Sequence, residues 1–257
     1  MLFHHLAKPK FNSMKKTINI LLVSIIFSGV SFATVQQDIT AAIKAGKSVF
    51  LVITEQGNPE NTAAIALGKK TMKLNAKTAV IELNRSEKAN AGMIKKYGLA
   101  GAPLPLFIVL ANNGAVAGAV GYKEASSENL LALIPSPQKA IVLKAMDDHM
   151  SVFIVVSKKS MQKKDVLTSC EAACTQMKRK AKIVEIDFDN AAEKKFLNEL
   201  NSNEIGKEPQ IFVVNAEGQL AGSFAGSTNA KTLVDTANKK TACCAPGSGK
   251  SCAPAKK

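Results

Sequence analysis

The chain has 257 residues, with 34 basic against 20 acidic side chains and a net charge of +14; it contains no tryptophan and two tyrosines. All but two of the positive charges are lysines, the exceptions being Arg85 and Arg179. Phosphate and base recognition ordinarily use arginine forks and stacking aromatics, so this composition argues against a nucleic-acid partner and reads as a solubilising surface.

Residues 1–33 read as a secretory signal peptide and not as part of a fold. Lys15 and Lys16 precede an apolar run from Ile18 to Phe32, and Ser31-Phe32-Ala33 places small residues where a signal peptidase reads. The run is shorter than the ~20 residues of a membrane-spanning helix. The expectation is a periplasmic or secreted protein with no transmembrane anchor after cleavage. Met14 makes the more ordinary signal start, with residues 1–13 as an N-terminal extension.

The next 205 or so residues are one pattern written twice. Ser48 to Ile53 (SVFLVI) returns as Ser151 to Val156 (SVFIVV), and Lys77 to Asn84 (KTAVIELN) returns at the same offset as Lys180 to Asp187 (KAKIVEID). With one residue inserted, Pro105 to Gly118 returns as Pro209 to Gly222. A period near 100 residues is that of a whole small domain and not of a solenoid repeat. The predicted domains are 34–135 and 136–238, joined by the semi-rigid link Ile134-Pro135-Ser136-Pro137-Gln138.

Each copy runs in the same order. An amphipathic helix (Val35 to Ala45; Gln138 to His149) leads into the SVF strand. A longer helix follows, opened in the first copy by Asn58-Pro59-Glu60, with a capping side chain and Pro at the first helical position. Then come the second strand and a short helix (Ala91 to Tyr97; Ala191 to Leu200). A proline precedes a hairpin turning at Asn113-Gly114 or Glu217-Gly218, and the last helix starts at Ser127 or Ser227. Residues 239–257 change composition to Gly, Pro, Ser and Lys, as in a flexible tail, and hold three of the five cysteines: Cys243, Cys244 and Cys252.

The order βαβ, α, ββα resembles the thioredoxin-like superfamily, over nearly all of the chain between leader and tail. The predicted class is α/β: two tandem thioredoxin-like domains, each a central mixed sheet with helices on both faces. The best local match is Tyr97 to Pro105 (YGLAGAPLP), which is similar to the family's approach to its cis-proline strand. Family spacing selects Pro103, while the internal repeat selects Pro105, because Pro105 to Gly114 and Pro209 to Gly218 have equal lengths. The resemblance implies an open backbone edge beside Pro105 and Pro209 where a peptide or protein partner pairs as a strand.

The resemblance also implies a CxxC at the start of the longer helix, where the helix dipole lowers a thiol pKa. Those positions hold Gly57-Asn58-Pro59-Glu60 and Ser160-Met161-Gln162-Lys163, so Gly57, Glu60, Ser160 and Lys163 stand where the thiols belong. Dithiol exchange of the usual kind is therefore not expected. Cys170 and Cys174 lie about ten residues further on, on one helical stripe with Leu167 and Met177. They read first as core, with a tail disulfide or a displaced reactive or metal-binding pair as alternatives. Cys243, Cys244 and Cys252 could hold a soft ion such as Cu(I) or Zn(II) through three thiolates, or supply an exchangeable disulfide; no other cofactor is expected. Three functions stay open: a redox-silent peptide-binding protein, a thiol-disulfide oxidoreductase using Cys170 and Cys174 or the tail, and a copper or zinc carrier.

Overall fold

A computed structural model describes residues 34–239 of the protein. The signal-peptide reading of residues 1–33, and Cys243, Cys244 and Cys252 with their metal site, lie outside the described residues. Among the described residues no helix is long and apolar enough to cross a membrane.

The first half contains α1 (Val35–Lys44), β1 (Ser48–Thr54), α2 (Asn61–Leu74), β2 (Thr78–Asn84), α3 (Ala91–Lys96), β3 (Leu106–Leu110), β4 (Val116–Gly121) and α4 (Ser127–Ala132). The second contains α5 (Pro137–Asp147), β5 (Ser151–Ser157), α6 (Lys164–Gln176), β6 (Ala181–Asp187), α7 (Lys194–Glu199), β7 (Gln210–Val214), β8 (Leu220–Ala225) and α8 (Ala230–Ala237). Strand order is β2-β1-β3-β4 in one sheet and β6-β5-β7-β8 in the other. In each, the first two strands are parallel and the last two antiparallel, with the same bulge late in the third strand. All seven residues of β1 and of β5 are buried, which explains why the SVF runs carry no polar alternation: helices cover both faces of the central strand. Val49, Leu51 and Ile53 pack towards α1 and α3, while Phe50 and Val52 pack towards α2 and α4.

Two helix starts differ from the sequence expectation. Asn58 does not cap α2; its Oδ1 accepts the Glu60 N–H within a turn spanning 58–61, Pro59 occupies that turn, and the helix begins at Asn61. Likewise α8 begins at Ala230, because Asn229 accepts the Lys231 N–H as its cap, whereas Ser227 meets Ser169 side chain to side chain.

The two halves meet through α5, which serves both. It packs on its own sheet through Val142 and Ala145, while Ala140 and Leu143 lie against Ala111 and Ala115 at the β3–β4 hairpin. Asn113 Nδ2 donates to the Ala140 carbonyl, and the Val116 N–H donates to Asp147.

Candidate functional site

At one end of the first sheet, three segments converge: the loop after β1 (55–60), the residue after β2, and the loop leading into β3 (99–105). Asn58 bridges two of them. Its Oδ1 holds the Glu60 N–H at 2.9 Å, and its Nδ2 donates to the Leu104 carbonyl at 3.1 Å. Gly57 makes the preceding turn at φ +83°, a conformation that a side chain would disfavour.

Arg85 fixes the third segment. Its backbone N–H extends the β1–β2 pairing to Thr54, and its guanidinium binds Glu55 Oε1 at 2.9 Å. The same group donates to the carbonyls of Leu99 (3.1 Å) and Ala102 (2.8 Å), with a longer contact to Ala100. A planar fork with several N–H donors suits this task, whereas a lysine would offer one ammonium. No local pattern in the sequence marks Arg85 as a site residue; its one signal is rarity, as one of two arginines among 34 basic residues.

The clamped loop leads into a cis peptide bond at Leu104–Pro105, so the internal repeat, and not the family spacing, points to the right proline. The Pro105 carbonyl accepts from the Tyr122 N–H and the Leu104 carbonyl from Asn58. The Leu104 N–H has no hydrogen-bond partner among the described residues. Beside it opens a shallow pocket of about 380 Å3, lined by Glu60, Pro103, Leu104, Pro105, Tyr122 and Glu124 among others.

The second half differs in how its proline loop is held, although the Glu208 N–H, like that of Leu104, has no hydrogen-bond partner among the described residues. The Glu208–Pro209 bond is trans, which corrects the expectation of two matching cis-proline edges. An X–Pro bond prefers trans by only ~0.5–1 kcal/mol, so its surroundings decide. The counterpart of Asn58 is Met161, whose thioether has no N–H with which to hold the carbonyl before the proline. The counterpart of the Glu55–Arg85 pair is Lys158 and Phe188, with the ammonium 5.4 Å from the ring centre, so no fork reaches the 201–208 loop. Glu208, in place of Leu104, lies against Gly226. Ser160 is exposed, and Lys163 is ion-paired with Glu185.

Cys170 and Cys174 lie in the second and third turns of α6, remote from its first residue Lys164. Both are free thiols. Cys170 is fully buried among Phe153, Val166, Ala173, Ile211 and Leu233, and Cys174 packs half-buried on the same cluster. Burial, with smaller contributions from Cys174 and Glu171, pushes the Cys170 thiol from 9.0 up to about 12. Burial and Glu171 raise Cys174 as well. The helix-start geometry that activates a thiol is absent, and the environment acts the other way. Among the described residues, no group of three His, Cys, Asp or Glu side chains is placed to hold a metal ion.

This predicts a measurable inertness. At pH 8, iodoacetamide should alkylate Cys170 in the native protein about a thousandfold more slowly than in urea, from the thiolate fraction alone. The linked stability has a definite sign. The raised folded-state value favours the neutral thiol, so this contribution is complete below about pH 9 and is lost as pH rises towards 12. Cys170→Ala should flatten that alkaline loss relative to the parent chain; an unchanged alkaline limb in urea titrations counts against it.

The topology defines the fold: two tandem domains of thioredoxin-like α/β fold, of which only the first has a cis-proline loop, with no thiol at the start of the longer helix in either. No protein-family model matches the chain, and no curated protein matches it. Among solved structures it is similar to the first two thioredoxin domains of Saccharomyces cerevisiae Eps1p, at 11% identity over 79% of this chain and 96% of that chain, with a TM-score of 0.29. It is also similar to the same two domains of Naumovozyma dairenensis Eps1p, at 12% identity over 76% and 92%, with a TM-score of 0.28. A third is the NTD_N/C domain of the alkylhydroperoxide reductase AhpF from Enterococcus faecalis, at 12% identity over 78% and 96%, with a TM-score of 0.29.

Proposed function

We propose that the protein is exported and binds an extended segment of a partner protein along the 103–105 loop of its first domain, without dithiol chemistry at the usual position. One observation carries this reading: the Leu104 N–H is unpaired among the described residues, on a loop that Arg85 and Asn58 hold rigid, at the edge of a shallow, largely apolar pocket. An unpaired backbone donor on a fixed edge is what strand addition uses, the main chain supplying affinity and the pocket supplying selectivity. Export is supported by the leader pattern of residues 1–33. The absence of thiols from positions 57–60 and 160–163, with Cys170 neutral in the core, supports a binding role over thiol exchange.

Titrating the 15N-labelled protein with short extended peptides tests the binding. The Leu104 amide should move first and most, with smaller changes at Tyr122 and Glu60; shifts confined to other surfaces would overturn it. Insulin reduction with an external reductant should show no turnover. Turnover that disappears in Cys170→Ser would instead assign the protein to the thiol oxidoreductases.

A further inference from the structure

The pocket beside Leu104 has a charge pattern that binding in general does not require. Glu60, half-buried at the start of α2, and Glu124, exposed on the 122–124 turn, both line it. Neither carboxylate has a hydrogen-bond or ion-pair partner among the described residues. Lys123 is the only cation of the lining, which also includes the apolar Pro103, Leu104, Pro105 and Leu106. Two unengaged acids thus line this pocket although the chain as a whole carries a net charge of +14. The second half shows that the fold does not demand them, since Lys163 stands at the position of Glu60 and Thr228 at that of Glu124.

Resting on the reading just given, we infer that the groove selects a partner segment carrying lysine or arginine next to an apolar residue. The apolar side chain occupies the pocket against Pro105 and Tyr122. The neighbouring cation sits between Glu60 and Glu124, and a backbone carbonyl of the segment accepts from the Leu104 N–H. The net positive charge of the whole chain opposes such a partner only at long range. With a screening length of about 8 Å at physiological salt, the nearest carboxylates govern the choice.

The test uses two extended peptides with the same apolar residues, one bearing lysines and the other glutamates, titrated into the full chain at physiological salt. Exposed ion pairs are worth up to ~1 kcal/mol each, about fivefold in affinity, so the lysine peptide should bind roughly tenfold tighter or more. The double variant Glu60→Gln with Glu124→Gln should abolish that preference while leaving the thermal midpoint nearly unchanged, since neither carboxylate makes a hydrogen bond or ion pair within the described residues. Glu60→Lys should weaken the lysine peptide further. Equal affinity for both peptides, or a preference that survives the double variant, overturns the inference while the binding reading stands. If neither peptide moves the Leu104 amide, the binding reading falls first and takes the inference with it. Shifts of that amide growing with protein concentration, without peptide, assign the groove to a second copy and overturn the partner assignment.

Discussion

Arg85→Ala should loosen the 99–105 loop and destabilise the first domain by roughly 3 kcal/mol, since hydrogen bonds from a charged donor contribute ~1.5–3 kcal/mol and buried partners left unpaired add to the loss. The side chain is only 18% exposed, and its removal strands the carbonyls of Leu99 and Ala102 together with Glu55. Surface ion pairs are ordinarily worth far less. The difference here is that the guanidinium spans two loops, so the pair with half-exposed Glu55 is the smaller part of the effect. Hydrogen exchange at residues 99–104 should accelerate more than in β1, and peptide binding at Leu104 should weaken in parallel. Arg85→Lys should recover only part of the loss, because one ammonium cannot reach Glu55 and two carbonyls at once. Unchanged exchange in the 99–104 loop would show that the loop holds its shape without the clamp.

Glu193→Ala should cost the second domain about 2–4 kcal/mol and lower its melting midpoint by roughly 10–20 °C, followed by circular dichroism because the chain has no tryptophan. Glu193 is fully buried, yet it serves the start of another element. Its two oxygens accept from the Ser136 hydroxyl and from the Gln138 N–H at 3.0 Å, closing the first turn of α5 where an acidic group also complements the helix dipole. Nearby, Lys195 donates to the Ala132 carbonyl at the end of α4, so the link between the halves is held from both sides. Glu193→Gln keeps one acceptor oxygen and should fall between parent and Ala. A midpoint within 2 °C of the parent for Glu193→Ala would mean that Ser136 and Gln138 find other partners.

The same structural problem is solved differently in the first half, and the internal repeat exposes this. Helix α1 caps itself, with Thr34 and Gln37 exchanging hydrogen bonds, and the counterpart of Glu193 is Asn90, which binds the Asn84 carbonyl instead. The capping box was available locally, from two residues three apart. The Glu193 cap joins residues 55 apart and carried no local mark.

A similar line divides the rest. The paired SVF strands were legible because a central strand covered on both faces must be apolar throughout, and that composition shows without any partner in view. The doubling, the element order and the lack of thiols at 57–60 and 160–163 were legible too, because each shows in runs of residues read directly along the chain. The interface between the halves was not. Ala111 and Ala115 face Ala140 and Leu143, whereas the corresponding positions elsewhere in the repeat are Asn215, Gln219, Gln37 and Thr40. Only the packing of α5 against the β3–β4 hairpin tells which alanines meet a neighbour.

Composition, periodicity and internal repetition are local, and by themselves they determined a duplicated α/β scaffold without its usual dithiol. They left the two proline loops looking equivalent. The tertiary structure decided otherwise, because the fate of each loop depends on side chains far away in sequence. Asn58 and Arg85 lie 46 and 17 residues from the loop positions they hold. Their counterparts Met161 and Phe188 offer no such donors, so only in the first domain do side chains at these two positions hold the proline loop.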